Sequence, residues 1–191
     1  MLQTIPNIQL KLLCLLQLEA IQSDKKKKLS CQKNVRLAVK EAGIAPVAPN
    51  KIVNGNLDTA LMLMWRLIQK FRMDPCIKFS ERHTSAEKSL LEWCQFKTEP
   101  YPSCGKAIVD FDRSWMSGLP FVALLHWRDE TVRFDAEASP KAACESAFTA
   151  GAKMGIPRIL EVSDICDRGT APDKQIILTY VAETYHVLND L

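Results

Sequence analysis

The stretch 110–128, DFDRSWMSGLPFVALLHWR, constrains this chain more than any other. Its second half carries Leu119, Phe121, Val122, Leu124 and Leu125 at three-and-four spacing, which predicts a buried helix. Trp115 adds a large apolar body with one N–H that needs an acceptor, a combination suited to the seam between an entry loop and a core helix. Gly118 stands between loop and helix, where a side chain would restrict the backbone. None of these residue types points to chemistry. The stretch is read as a core around which other helices pack.

The chain has 191 residues, enough for one large domain or two small ones. Its hydrophobic content of 47% and charged content of 25% are those of an ordinary globular protein. A net charge of +3 is too small for a dedicated nucleic-acid binder. Lys25–Lys28 read as a solvated loop, and no aromatic residue interleaves with them to stack on bases. The seven cysteines at 14, 31, 76, 94, 104, 144 and 166 form no C-x-x-C, and their number is odd. That pattern fits a reducing compartment and neither a disulfide framework nor a zinc site, with Cys94 and Cys144 acting as small hydrophobes. The leucine-rich run 10–18 lacks a basic leader and a small-residue cleavage site, and Lys11 interrupts it. No run approaches the ~20 apolar residues of a membrane span. A cytoplasmic protein without a transmembrane segment is expected.

Taken in order, residues 8–21 predict a leucine-rich helix, followed by a polar loop through Ser30. Asn34–Ala42 predicts a short amphipathic helix with Val35, Ala38 and Val39 inward and Gly43 as its stop. Leu57–Phe71 predicts a helix with two apolar stripes. Leu57, Leu61, Met64, Ile68 and Phe71 make one; Ala60, Leu63 and Leu67 make the other, and Trp65 adds to them. Such a helix needs cover on more than one side, from its own domain or from a neighbour. Asp74–His83 reads as a linker. Thr84 and Glu87 have the T-x-x-E form of a capping box that opens a helix with Ala86, Leu90, Trp93 and Cys94 on one face and Lys97 near its end. Ser139-Pro140 opens a helix that runs to Met154 with Ala143, Ala147, Phe148 and Ala152 inward. Pro172 opens the last one, with Ile176, Ile177, Tyr180, Val181, Thr184 and Val187 at helical spacing. No alternating strand pattern is found, so the fold class is all-α. A Gly-Ile pair (43–44 and 155–156), then an Ile…Gly segment (52–55 and 165–169), then a long apolar helix occur twice, which reads as two copies of one unit.

SAEKSLLEWCQFKT, FDRSWMSGLPFVALLH and APDKQIILTYVAETYH resemble, in order, the first helix, the central signature and the last helix of a calponin homology domain. The likeness is to the second domain of the tandem pair in alpha-actinins, filamins and spectrins. NIQLKLLCLLQLEAI and KIVNGNLDTALMLMWRLIQKF resemble parts of the first domain of that pair. The resemblance therefore implies two helical bundles: an N-terminally incomplete first domain over 1–73, a linker over 74–83, and a second domain over 84–191.

It also implies a non-catalytic actin-filament-binding module, placed in the cytoskeleton. The implied contact residues are Leu57, Ala60, Leu61, Met64, Trp65 and Ile68 in the first domain, and Ala86, Leu90 and Lys97 in the second. An interdomain latch would pair Trp65 with Lys174 through a cation–π contact. A weaker phosphoinositide site would use Lys97, Lys106 and Arg113. The alternative is a scaffold or regulatory module that does not bind filaments appreciably alone. An enzyme is disfavoured, because His83, His126 and His186 are the only histidines and no nucleophile or phosphate-loop motif accompanies them. No cofactor or metal is implied.

Overall fold

The backbone is helical wherever apolar residues recur at three-and-four spacing between proline and glycine breaks. The computed structural model describes residues 25–79, 85–104, 108–166 and 169–190, and no strand occurs among them. The chain divides into two compact units, Met1–Lys70 and Phe71–Leu191. The helix expected over 8–21 lies outside the described residues.

In the first unit, α1 (Lys25–Glu41), α2 (Pro49–Val53) and α3 (Leu57–Ile68) enclose a core of Val35, Val39, Val47, Ile52, Val53 and Leu63. The lysine block expected to be a loop is instead the first turns of α1. Lysine and leucine propagate a helix readily, and Val35 and Val39 fix one face to the core from which the helix extends backwards. Gly43 ends it as expected. The Gly43 amide donates to the Lys40 carbonyl (3.0 Å) and the Ile44 amide to that of Val39 (3.3 Å), the paired bonds of a Schellman cap. Asn56 caps α3, its Oδ1 accepting from the Thr59 amide (2.9 Å) and hydroxyl (2.6 Å).

The α-helical pattern of α3 stops at Ile68, short of the expected Phe71. A π turn over Gln69–Met73 and a 3-10 turn over Asp74–Phe79 follow. Pro75 has no N–H and its ring crowds the carbonyl four residues back, so a regular α-helix cannot run through it. The first six residues of the expected linker are thus ordered, and belong to the second unit. The Ser89 hydroxyl donates to the Cys76 carbonyl at 2.8 Å. Arg72 makes a two-pronged ion pair with Glu183, and His186 Nε2 lies 2.7 Å from the Arg72 carbonyl.

The second unit contains α4 (Ala86–Thr98), a 3-10 turn at Arg113–Trp115, α5 (Leu119–Arg128), α6 (Pro140–Lys153), α7 (Val162–Cys166) and α8 (Lys174–Asp190). Helix α5 is central: every residue from Leu119 to Leu125 is buried, and α4 and α6 pack against it. An aromatic cluster joins the layers. Trp115 meets Phe121 with ring centroids 4.7 Å apart, Phe121 meets Phe148 at 5.4 Å and Tyr180 at 5.5 Å, and Phe148 meets Tyr180 at 5.3 Å. Ser139 caps α6 as expected, accepting from the Ala142 amide. Ala143, Ala147 and Phe148 face inward as expected, whereas Ala152 is exposed and Gly151 takes the buried position. A Cβ at Gly151 would lie 2.8 Å from the Tyr180 hydroxyl, which leaves no room for a side chain there. The Gly155 amide donates to the Ala152 carbonyl and that of Ile156 to the Gly151 carbonyl, again the Schellman pair. Asp173, one residue after Pro172, caps α8 by accepting from the Gln175 and Ile176 amides.

Candidate functional site

The two apolar stripes of α3 have separate fates. Leu63 points into the first unit's core, with Ala60 and Leu67 packed beside it. The Arg66 guanidinium donates from Nη1 to the carbonyls of Ala45 (2.9 Å) and Pro46 (2.8 Å), which fixes the rotation of the helix against the preceding loop. The other stripe is thereby turned outward: Leu57 is 66% exposed, Leu61 57% and Met64 44%. Trp65 and Ile68 are half-buried along its edge, and Met62 is exposed beyond it. Isolated exposed leucines are common, but a row of apolar side chains along one helix marks a surface that gains by being covered.

On α4, Leu90, Trp93 and Cys94 share the inward face as expected, and all three are fully buried. Leu90 therefore presents no surface to a partner, contrary to the contact role that the resemblance implies. Ala86 and Lys97 keep part of their surface. Thr84 and His83 lie outside the described residues. Ser85 occupies the position before the helix, and its side chain makes no capping bond. The Lys97 ammonium sits 3.3 Å from the centroid of the Trp127 ring and 5.4 Å from that of Phe96. Partial burial lowers its pKa. Of the other candidate phosphate donors, Arg113 is exposed on its 3-10 turn and Lys106 lies outside the described residues. The Lys174 ammonium contacts Glu87 Oε1 at 2.7 Å, an ion pair half open to solvent that ties the start of α8 to the start of α4.

The entry turn to α5 is organised by Asp110. Its Oδ1 accepts from the amides of Asp112 (3.1 Å) and Ser114 (2.9 Å), and its backbone carbonyl accepts the indole N–H of Trp115 at 2.8 Å. Burial would raise the Asp110 pKa; the hydrogen bonds from Ser114 and Asp112 outweigh it and hold the carboxyl below its ordinary value.

Both described histidines are committed to backbone carbonyls, His126 Nδ1 to Val132 at 2.5 Å and His186 Nε2 to Arg72. Cys76, Cys104 and Cys144 are buried thiols, each pushed up to about 12 by burial, a direction opposite to that of a nucleophilic cysteine. Among the described residues no group of three or more His, Cys, Asp or Glu could hold a metal ion, and no helix is long and apolar enough to cross a membrane.

Against known families, the calponin homology domain matches residues 84–190. The chain belongs to the calponin homology family. Among its relatives are alpha-actinin-like protein 1 of Schizosaccharomyces pombe, 39% identical over 150 residues, and human alpha-actinin-1, 35% identical over 158. Chicken alpha-actinin-4 is 33% identical over 157 residues. These matches cover 76%, 80% and 80% of this chain, and 23%, 17% and 17% of the relatives. The chain thus spans less than a quarter of their length. The span 84–190 is little more than half of the chain, so each match also takes in residues before the matched calponin homology domain.

Two features of the calponin homology unit were not legible in the sequence. The Arg72–Glu183 pair joins residues 111 apart, with no local signal at either end. Trp127 gives no hint that it receives Lys97, because the ring and the ammonium lie on different helices.

Proposed function

We propose that this chain is a non-catalytic actin-filament-binding module of an alpha-actinin-type cytoskeletal protein. The observation that carries the reading is the outward apolar row of Leu57, Leu61 and Met64 on a helix whose opposite side is anchored in its own core. Membership of the calponin homology family and the alpha-actinin relatives supply the partner class. A tandem arrangement is part of the proposal. It is supported by matches that reach before residue 84, and by the same local order in both units: a helix with a Gly-Ile Schellman cap, a short helix, then a long one. Leu57→Ser/Leu61→Ser/Met64→Ser is expected to weaken co-pelleting with filaments by tenfold or more, roughly what loss of an apolar contact cluster costs. Unchanged pelleting of that variant rejects the face, and no pelleting of the parent chain at low salt rejects the partner.

The second reading, a scaffold or regulator that binds filaments poorly by itself, is favoured by the burial of Leu90, which leaves Ala86 and Lys97 as the accessible members of the contact set expected on α4. Lys174 is already paired with Glu87, so a latch to Trp65 would compete with that pair. Lys174→Glu is expected to raise filament co-pelleting severalfold by releasing the latch. If co-pelleting and protease sensitivity both stay at parental values, the latch is discarded. A phosphoinositide site gains little support, since Lys97 already lies over the Trp127 ring.

A further inference from the structure

We infer that the outward face of α1 is a docking surface for an anionic lipid bilayer, distinct from the filament-binding face proposed on α3. The helix sequence KKKKLSCQKNVRLAVKE carries seven basic residues and one acid. Its net charge of +6 stands against +3 for the whole chain, so the cationic character of this protein is concentrated here. Val35 and Val39 are buried in the unit's core, and the helix presents its opposite side to solvent. On that side lie Leu29, Lys33 and Leu37, spaced i, i+4 and i+8, with Arg36 and Lys40 beside them. All five are exposed, Leu29 by 57% and Leu37 by 55%.

Charge complementarity calls for an anionic partner, and the two leucines select its class. A nucleic acid or an acidic protein patch would use the cations and leave Leu29 and Leu37 without a role. A bilayer uses both: leucines enter the acyl boundary while Lys33, Arg36 and Lys40 extend their stems to the headgroups. The helix has no acid in its first turn, which consists of the lysine run 25–28, a charge sign that the positive dipole end repels. An anionic surface offsets that repulsion, which a neutral surface cannot do.

The test is sedimentation of the full chain with phosphatidylcholine vesicles, with and without phosphatidylserine. Binding is expected to the phosphatidylserine vesicles only, and to weaken as salt rises. Lys33→Gln/Arg36→Gln/Lys40→Gln should lower affinity about a hundredfold, and Leu29→Ser/Leu37→Ser about tenfold. Lys33→Arg/Lys40→Arg should keep it, as should the α3 triple serine variant, which separates this surface from the filament face. All of these positions are exposed, and unchanged helical circular dichroism verifies folding. Three results overturn the inference: no sedimentation with phosphatidylserine vesicles, loss on charge removal but not on leucine removal (adsorption by charge alone, without the leucines entering the bilayer), or loss on Lys97→Glu/Arg113→Glu instead.

Discussion

Trp115→Ala is expected to remove about 4 to 6 kcal/mol from the stability of the Phe71–Leu191 unit, the sum of a large core cavity and a lost buried hydrogen bond. Trp115 is fully buried, its ring stacked near Phe111 at 6.0 Å and tilted against Phe121 at 4.7 Å. Alanine would leave the space between the entry turn and α5 empty. It would also leave the Asp110 carbonyl, now bonded to the indole N–H at 2.8 Å, without its donor. Since whole domains are stable by only ~5–15 kcal/mol, the unit should be largely unfolded well below the parental denaturation midpoint. Urea denaturation followed by circular dichroism measures the change. Trp115→Phe, which keeps most of the volume, should lose clearly less. A loss below about 1 kcal/mol for the alanine variant would mean that the seam is not held by this ring.

Gly118→Ala is the second large effect, about 2 to 5 kcal/mol from a left-handed backbone combined with overpacking. Gly118 has φ +73°, a region in which a Cβ is strained, and it immediately precedes α5. The added methyl would lie 2.8 Å from Cys144 Sγ and 3.0 Å from both the Ala143 Cβ and the Cys144 amide nitrogen. The sulfur can be removed and the backbone nitrogen cannot. Cys144→Ala should therefore rescue part of the loss in a double-mutant cycle, leaving the backbone strain as the remainder. Full rescue would place the whole effect in the sulfur contact, and no rescue would place it all in the backbone.

Both effects belong to the stretch whose fold was easiest to read. From 110 to 128 the residues state their own structure: a ring needing one acceptor, a glycine where a side chain cannot fit, then an apolar run too continuous for a surface helix. The Ser139-Pro140 start of α6 and the Gly43 stop of α1 were equally local, since caps are bonds within one turn. The helicity of the Lys25–Lys28 block is not legible locally, because the helix is held to its core by Val35 and Val39 further along. Ala152 and Gly151 were exchanged for a similar reason. Only the Tyr180 hydroxyl, supplied by another helix, shows that the buried position must lack a side chain.

The candidate face was half legible. Two stripes on α3 followed from periodicity, but nothing along the helix says which of two apolar stripes turns inward. Arg66 binding the Ala45 and Pro46 carbonyls settles that rotation, and it does so through a loop twenty residues away. Leu90 shows the converse: the likeness placed it at a contact surface, and burial removed it.

By itself, then, the sequence determined the all-helical class, most helix boundaries, the Trp115–Gly118 seam and the family likeness, because periodicity, caps and turns are properties of neighbouring residues. Tertiary structure decided which stripe of α3 faces solvent, that Lys97 lies over Trp127, and that Arg72 is paired with Glu183. Those outcomes depend on distances between segments far apart in the chain, which only packing brings within reach of one another.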